Sequence, residues 1–273
     1  MDSHRQPIVR VRGLVNRFGN ETVHDGLNLD VFAGEVLGVV GGSGSGKSVL
    51  LNTIVGLNRP NQGEVEVFGT DILGASESEL RTVERRWGVL FQDGALFSSL
   101  TVAQNIEVPL KEFYDMPPRL MDEIAALKIG LAGLPEDAGP KFPAQLSGGM
   151  RKRAGLGRAL ALDPEILFLD EPTAGLDPIA AGEFDNLVRD LKSSLGLTVF
   201  MVTHDLDSLF AICDRVAVLV DKKIRIGTLE ELLRDDHPWI RAYFHGPRGR
   251  SAQQADASHP AEAASAIAGT TPG

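Results

Sequence analysis

A glycine-rich octet at 41–48 constrains the fold of this chain more than any other segment. It fits the pattern G-x-x-x-x-G-K-[ST] and lies between an apolar run at 36–40 and a helix-like apolar run at 49–57. Glycines let several backbone N–H groups point into one hollow, and the positive end of the following helix favours an anion there. The alternative is a flexible Gly/Ser loop that happens to precede a lysine. The strand–loop–helix context favours a phosphate-binding loop, so we expect a nucleoside triphosphate as its ligand.

The residues of this loop have different expected roles. Lys47 is expected to reach the β- and γ-phosphates, and Ser48 to offer its hydroxyl to Mg²⁺. The backbone of the whole segment is expected to surround the phosphates. The predicted nucleotide-binding residues of the loop are Gly41, Gly42, Ser43, Gly44, Ser45, Gly46, Lys47, Ser48 and Val49.

Two carboxylates end an apolar run at 166–169. A buried strand rarely ends in Asp170 and Glu171 unless a cation or a reacting group receives the charge. With a phosphate loop upstream, Asp170 is suited to Mg²⁺ and Glu171 to polarising an attacking water. The alternative is a solvated acidic strand end.

A second glycine-containing helix start lies at 146–150, before the basic residues 151–153 and a helical run to Leu162. Ser147, Gly148 and Gly149 there are suited to binding an anion. Because the chain already has one phosphate loop, this start needs a second phosphate or a second chain. The alternative is an ordinary flexible helix entry.

The first ninety residues contain strand-like patterns. Short half-exposed strands are predicted at 8–12 and 26–31, and an antiparallel strand at 63–69, where apolar residues alternate with polar ones. Ser76 and Glu79 have the spacing of a capping box that opens a short helix through Arg86. A buried strand at 89–91 is expected to end at Gln92.

The remaining chain indicates an α/β fold with a parallel sheet. Helical patterns interrupted by prolines at 96–162 predict a helical insertion. Strands at 166–169 and 198–202, separated by a helix at 180–195, predict a parallel sheet covered on both faces. A closing hairpin is expected at 215–226. We expect one domain at 1–245 and a disordered tail at 246–273, whose composition cannot bury much apolar surface.

Composition narrows the classes of function. The net charge of −10 argues against general nucleic-acid binding. Cys213 is the single cysteine, which excludes a disulfide within one chain and fits a reducing cytoplasm. We find neither the apolar core of a secretory signal nor a membrane-spanning run of roughly 20 residues, so we expect any membrane role to depend on a partner.

Taken together, these motifs resemble an ATP-binding-cassette (ABC) nucleotide-binding domain, in family order across nearly residues 5–245. The resemblance implies a P-loop NTPase core with a parallel sheet, an antiparallel β-subdomain and a helical insertion. It also implies ATP and Mg²⁺ as cofactors, and a dimer in which each site joins the phosphate loop of one chain to 147–149 of the other.

The resemblance assigns roles that the residues alone do not establish. Phe18 matches the aromatic that stacks on adenine, and Gln92 the loop glutamine that touches Mg²⁺ and senses the transmembrane partner. Asp177 lies in the matching D-loop, and His204 matches the switch histidine. The implied catalytic residues are Glu171, His204, Lys47 and Gln92, and the implied metal-binding residues are Ser48, Gln92 and Asp170. Met150 departs from the family's commonest signature, which has Gln there, so we expect any ribose contact at that position to weaken.

A narrower resemblance concerns cargo. The segments 91–97, 146–153 and 176–179 are similar to those of the ATPase subunit of Mla-type phospholipid transporters. This resemblance implies an integral-membrane permease, an MCE-domain lipid-binding protein and a small regulatory protein as partners, on the cytoplasmic side of the bacterial inner membrane. Related MCE systems carry sterols or other hydrophobic cargo.

Three other functions remain open from the sequence. An importer ATPase for amino acids or sugars is the nearest alternative. A soluble ABC ATPase acting on DNA or ribosomes is disfavoured by the single cassette and the acidic charge. A non-catalytic ATP-gated interaction module is disfavoured by the presence of Glu171 and His204.

Overall fold

A computed structural model of the chain describes residues 6–246. The strands are β1 (Pro7–Phe18), β2 (Glu21–Phe32), β3 (Val36–Gly41), β4 (Gln62–Val67), β5 (Thr70–Asp71), β6 (Trp87–Leu90), β7 (Ile166–Asp170), β8 (Thr198–Val202), β9 (Arg215–Val220) and β10 (Lys223–Gly227). The helices are α1 (Lys47–Ile54), α2 (Glu77–Glu84), α3 (Val102–Phe113), α4 (Pro118–Leu131), α5 (Gly148–Ala159), α6 (Pro178–Leu195), α7 (Leu206–Ile212), α8 (Leu229–Leu233) and α9 (Pro238–His245). Short 3-10 turns lie at Glu136–Ala138 and Pro143–Gln145.

An antiparallel sheet of order β2-β1-β4-β5 covers one side of the molecule. The prediction of short half-exposed strands at its start was wrong, because β1 and β2 are 12 residues each. They form one long hairpin across the Gly19–Asn20 turn, and register shifts on both sides of Leu14 bend it. The bend turns one face inward, where Val9 and Val11 are fully buried. The predicted antiparallel strand at 63–69 corresponds to β4.

A six-stranded sheet of order β10-β9-β3-β8-β7-β6 forms the centre of the fold. Every neighbouring pair is parallel except β9 and β10, which form the predicted closing hairpin. The predicted strand at 89–91 starts two residues too late and ends one residue too late, since β6 spans Trp87–Leu90 and the chain turns where Gly94 N–H donates to Phe91 O. The predicted parallel sheet is confirmed.

Alternate residues of β7 show how both faces of this sheet are covered. Ile166 and Phe168 pack in a core shared with α1 and the antiparallel sheet, whereas Leu167 and Leu169 pack against α6. Since both faces are buried, the strand is apolar throughout and only its end, at Asp170, carries charge.

Helices α3, α4 and α5 lie within the segment predicted to be a helical insertion. They bury a core of their own around Ile106, Ala125 and Ala154, while Leu156 of α5 packs against the parallel sheet. Ser76 caps α2 with the predicted capping box, although this helix ends at Glu84.

The C-terminal helices α8 and α9 pack against α7 and β9, where Ile240 and Phe244 are fully buried. The apolar side of α9 therefore packs on its own domain. The predicted disordered tail lies outside the described residues apart from Gly246. Within residues 6–246, no helix combines the length and apolar character that a membrane span requires.

Candidate nucleotide-binding site

The phosphate loop connects β3 to α1 at the carboxyl edge of the parallel sheet. A Cβ atom on Gly41 would lie 2.5 Å from Ser45 Oγ and 2.7 Å from Leu219 O, so only glycine fits at the start of the loop. Gly46, with φ 96°, is the residue that begins α1 in a conformation that side chains disfavour. The sequence thus folds into the curled backbone that a phosphate requires.

The loop is supported from below by a histidine that sequence reasoning missed. His24 of β2 is fully buried, and a Cβ on Gly46 would collide with its ring. Its Nδ1 lies 3.0 Å from Asn16 Oδ1, which orients the ring. Burial lowers the pKa of His24 to about 4, so the ring is neutral at physiological pH. Only the fold shows this support, because His24 lies in an otherwise ordinary strand pattern.

Lys47 bends back over the mouth of the loop. Its Nζ donates to Gly41 O at 2.9 Å and to Gly42 O at 3.1 Å. Burial lowers the pKa of Lys47, and the nearby carboxylates of Glu171 and Asp170 oppose that shift. The ammonium therefore lies where a phosphate chain held by the loop would meet it.

Two oxygen-bearing side chains, those of Ser48 and Asp170, lie together beside the loop. Ser48 Oγ donates to Asp170 Oδ1 at 3.3 Å, and Asp170 is only 9% exposed. Burial raises the pKa of Asp170, while the hydrogen bond from Ser48 and the charge of Lys47 lower it. A hydroxyl and a carboxylate are hard ligands of the kind that Mg²⁺ prefers. No set of three or more His, Cys, Asp or Glu side chains in the described chain could hold a metal, so a cation here would need further oxygens from the nucleotide or water.

Glu171 and His204 face each other across the ends of β7 and β8. His204 Nδ1 lies 2.7 Å from Glu171 Oε2, and Glu171 N–H donates to Val202 O at 2.8 Å. Glu171 has φ 50°, an unfavourable conformation for a residue with a side chain. That backbone turns its carboxylate, whose side chain is 14% exposed, toward His204, whose side chain is 65% exposed.

Lys152 is a second residue that sequence reasoning missed as part of the site. It was noted only as one of the basic residues after the glycine-containing helix start, yet it is 6% exposed. Its Nζ donates to Gln92 O at 2.8 Å and to Glu171 O at 2.9 Å. Burial lowers the pKa of Lys152, and the carboxylates of Asp93, Glu171 and Asp170 oppose this. The ammonium thus joins the Gln92 loop to the carboxylate end of β7.

The other predicted site residues lie at the surface. Phe18 is 51% exposed at the end of β1, and Gln92 is exposed after β6. In the part of the chain that the structure describes, no hydrogen bond joins the Gln92 side chain to Ser48 or Asp170. Asp177 caps α6 by accepting hydrogen bonds from the N–H groups of Ile179 at 3.1 Å and Ala180 at 3.0 Å.

The predicted second anion site lies at the start of α5. Ser147 caps this helix, its Oγ accepting from Met150 N–H at 3.2 Å, and Ser147 and Gly148 are exposed. Among residues 6–246, no hydrogen bond connects 147–149 to the loop at 41–48. The structure therefore brings together Lys47, Ser48, Asp170, Glu171 and His204, but not the start of α5.

Comparisons with known proteins agree with this geometry. Residues 24–174 match the family model described as ABC transporter. The chain is 39% identical over 266 residues to the probable ribonucleotide transport ATP-binding protein mkl of Mycobacterium leprae, covering 96% of this chain and 76% of that protein. It is also 39% identical over 242 residues to the intermembrane phospholipid transport system ATP-binding protein MlaF of Haemophilus influenzae, covering 88% and 91%.

Solved structures give the same result. A dimeric ATP-binding cassette in a post-hydrolysis state, bound to ADP and Pi, superposes with a TM-score of 0.74 at 32% identity, covering 81% of this chain and 98% of that one. The cbiO1 protein of Clostridium perfringens, part of the transporter complex cbiONQ, has a TM-score of 0.75 at 26% identity, covering 92% and 99%. The predicted P-loop NTPase fold class is confirmed. From its phosphate loop, its carboxylate pair and these matches, we conclude that the chain belongs to the ABC transporter family and is an ATP-binding, ATP-hydrolysing subunit.

Proposed function

We propose that this chain is the ATPase of a transporter that moves phospholipid or a related hydrophobic cargo across the cell envelope. The observation that carries its chemistry is the 2.7 Å contact between Glu171 Oε2 and His204 Nδ1, beside the phosphate loop. A carboxylate held by an imidazole can orient and polarise a water for attack on a γ-phosphate.

Different residues of the site bind different parts of ATP. The amides of 41–49 bind the phosphates, and the Lys47 ammonium neutralises their charge as hydrolysis proceeds. Phe18 stacks on adenine, since its exposed ring lies at the surface beside the hairpin turn. Ser48 and Asp170 would hold Mg²⁺. Gln92 would be a further ligand, as the family resemblance implies.

A Mg²⁺ ion bound there would neutralise part of the phosphate charge. The chain's own contribution is to place the Ser48 hydroxyl and the Asp170 carboxylate 3.3 Å apart at the start of α1. Lys152 fixes the backbone of Glu171 and of Gln92 at the same time. The residues needed for metal binding and water activation are therefore held as one unit.

The exposed start of α5 supports a site shared between two copies. Ser147 and Gly148 are exposed at the start of this helix, next to Gly149. Among residues 6–246, no hydrogen bond connects these three residues to the phosphate loop. In a homodimer they would close over ATP held by the other chain, with Asp177 at the contact. ATP would then contribute binding energy between the two chains only in the closed dimer, and hydrolysis would remove that contribution, as a ligand-biased two-state element requires. The dimeric state of a solved relative supports this arrangement.

A groove between β6 and the helical insertion is suited to receiving a permease segment. This cavity of about 410 Å³ is lined mainly by apolar side chains, among them Leu57, Phe91 and Phe113. Arg158 in its wall donates to Ala95 O at 2.6 Å and to Gly94 O at 2.9 Å, which ties the Gln92–Phe97 loop to α5. A permease bound there would sense movements of this loop, on the cytoplasmic side of the bacterial inner membrane.

The proposed cargo rests on the relative named for intermembrane phospholipid transport. An MCE-domain lipid-binding protein and a small regulatory protein are further proposed partners, and for these the support is the sequence resemblance alone. The relative named for ribonucleotide transport keeps a polar cargo as the alternative.

Purification of the chain with its membrane partners tests the proposal. In liposomes containing this complex, we expect phospholipids or other lipids to stimulate ATP hydrolysis and to exchange between membranes in an ATP-dependent manner. Glu171→Gln should abolish both effects. Stimulation by ribonucleotides, sugars or amino acids with no response to lipid would contradict the cargo while leaving the ATPase assignment intact.

A further inference from the structure

The C-terminal helix α9 lies against both the phosphate loop and the His204 segment. Tyr243 Oη donates to His204 O at 3.3 Å. Four residues earlier, the Nε1 atom of Trp239 would lie 3.7 Å from a Cβ on Gly42 of the phosphate loop. The two aromatic rings stack, with centroids 4.9 Å apart and an interplanar angle of 13°. One aromatic pair therefore spans the distance between the phosphate loop and the histidine segment.

The rest of α9 is anchored so that this pair has a fixed position. Ile240 and Phe244, on the inner side of the helix, are fully buried in the core. At its start, His237 Nδ1 accepts from Trp239 N–H at 3.2 Å, while His237 Nε2 lies 3.0 Å from Asp221 Oδ2 in the turn after β9. Packing and capping thus hold the helix at both ends.

Tyr243 is a hydrogen-bond donor and not a base. Burial raises the pKa of its phenol above the ordinary value, and the carboxylates of Asp205 and Glu171 raise it further. The hydroxyl therefore keeps its proton at any physiological pH. The hydroxyl donates to the peptide carbonyl of His204. Because the His204 imidazole is mostly exposed, a fixed backbone is needed to keep it in contact with the Glu171 carboxylate.

We propose that α9 is the positioning element of the hydrolytic switch: Tyr243 fixes the His204 peptide, and Trp239 braces the phosphate loop at Gly42. This inference rests on the proposed roles of Glu171 and His204. The stacked rings connect the two contacts, so that a displaced phosphate loop displaces the histidine segment as well. Tyr243 and Trp239 act through other residues and touch no reacting atom.

Tyr243→Phe removes the hydroxyl and keeps the stacked ring. Loss of one neutral hydrogen bond should lower kcat about two- to tenfold, while KM for ATP changes less than about twofold. The matched control is Tyr114→Phe, the other tyrosine of the chain, which lies after α3 and should change neither constant. In a His204→Ala background, Tyr243→Phe should have no additional effect, since the two residues act as one unit.

The outcomes separate the inference from the proposed function. Native kcat in Tyr243→Phe, or a full additional loss in the His204→Ala background, would overturn the role of Tyr243. If His204→Ala itself hydrolysed ATP at the native rate, the proposed switch would fail and the inference with it. A thermal melt of each variant shows whether a lost rate reflects unfolding.

Trp239 provides an independent test, since the chain has only two tryptophans. Trp87→Phe keeps an aromatic ring against Phe168 and leaves Trp239 as the single indole. We expect ATP to change the fluorescence of this variant with the same concentration dependence as hydrolysis, and Lys47→Ala to abolish the change. Unaltered emission at ATP concentrations that saturate hydrolysis would overturn the contact with the phosphate loop.

Discussion

The two anion sites of this chain differ in how they are supported. The phosphate loop at 41–48 follows a fully buried strand, rests on the His24 ring and has Asp170 beside it. The segment 147–149 begins a helix at the surface, and a Cβ on Gly148 would meet nothing within 4 Å. The first site has buried supports and its catalytic groups beside it. The second is exposed, and among residues 6–246 no carboxylate or imidazole is hydrogen-bonded to it.

The difference indicates what a second copy would contribute. The strained backbone of Glu171, with φ 50°, lies in the phosphate-loop site, and such strain persists only where the surrounding structure holds it. The open site has glycines that tolerate contact with a large ligand held elsewhere. We therefore interpret the phosphate loop as the catalytic half of the site and the start of α5 as the half that closes it.

The largest expected effect is the loss of ATP hydrolysis when the catalytic carboxylate beside the phosphate loop is removed. Glu171→Gln replaces the carboxylate by an amide of the same shape, so ATP hydrolysis should fall on the order of 10²–10⁴-fold while ATP binding stays intact. Single-turnover hydrolysis and equilibrium nucleotide binding measure the two quantities. Hydrolysis at the native rate would remove Glu171 from the mechanism.

The next largest effect is the loss of ATP hydrolysis when the segment 147–149 is altered. Gly148→Asp places a carboxylate where the proposed partner's γ-phosphate would lie, and repulsion should lower hydrolysis by at least about tenfold. Because a side chain at Gly148 meets nothing within its own chain, the thermal stability should change little. Gly130→Asp, in α4, is the matched control, since that position is also open. Equal loss in both variants would argue against a specific role for 147–149.

A smaller effect tests whether Phe18, beside the phosphate loop's half of the site, stacks on adenine. Phe18→Ala should weaken ATP binding by about 1–3 kcal/mol, the magnitude of base–aromatic stacking. Binding of inorganic triphosphate, which has no base, should be unchanged. If the native protein bound ATP and triphosphate equally, stacking by Phe18 would be excluded.

The last prediction concerns the stability of the fold and leaves ATP hydrolysis aside. Asp185 of α6 is buried and accepts a hydrogen bond from Ser208 of α7 at 2.7 Å, just after the His204 segment. Burial raises its pKa from 3.8 to about 6, with Asp205 and Asp207 adding to the shift and Ser208 and Arg189 opposing it.

The sign of its pH effect follows from the raised pKa. Between about pH 4 and 6 the folded state keeps a proton that the unfolded state has lost, so stability falls as pH rises through this window. Asp185→Asn should remove the fall and stabilise the protein by up to about 2–3 kcal/mol at pH 8. Chemical denaturation at pH 4.5 and pH 8 measures it, with the exposed Asp190→Asn as control. A native-like pH dependence in Asp185→Asn would assign the effect to another group.

The sequence predicted the parts of the site that depend on local pattern. The loop at 41–48, the acidic end of β7 and the closing hairpin each lie within a short segment whose spacing dictates the structure. Lys152, His24 and Tyr243 were missed because their contacts lie 60, 22 and 39 residues away along the chain, with Gln92, Gly46 and His204. The length of β1 and β2 was missed because bulges hide the alternation that marks a long strand.

The proposed role of 147–149 depends on a second chain, so the sequence pattern around these residues does not predict which ligand they meet. The most direct measurement of the shared site mixes two impaired variants, Lys47→Ala and Gly148→Asp, and records ATP hydrolysis. A mixed dimer has one site with an intact phosphate loop from one chain and an intact 147–149 segment from the other. The account predicts hydrolysis well above the sum of the two separate rates. A rate equal to that sum would contradict it, because each chain would then hold its whole site alone.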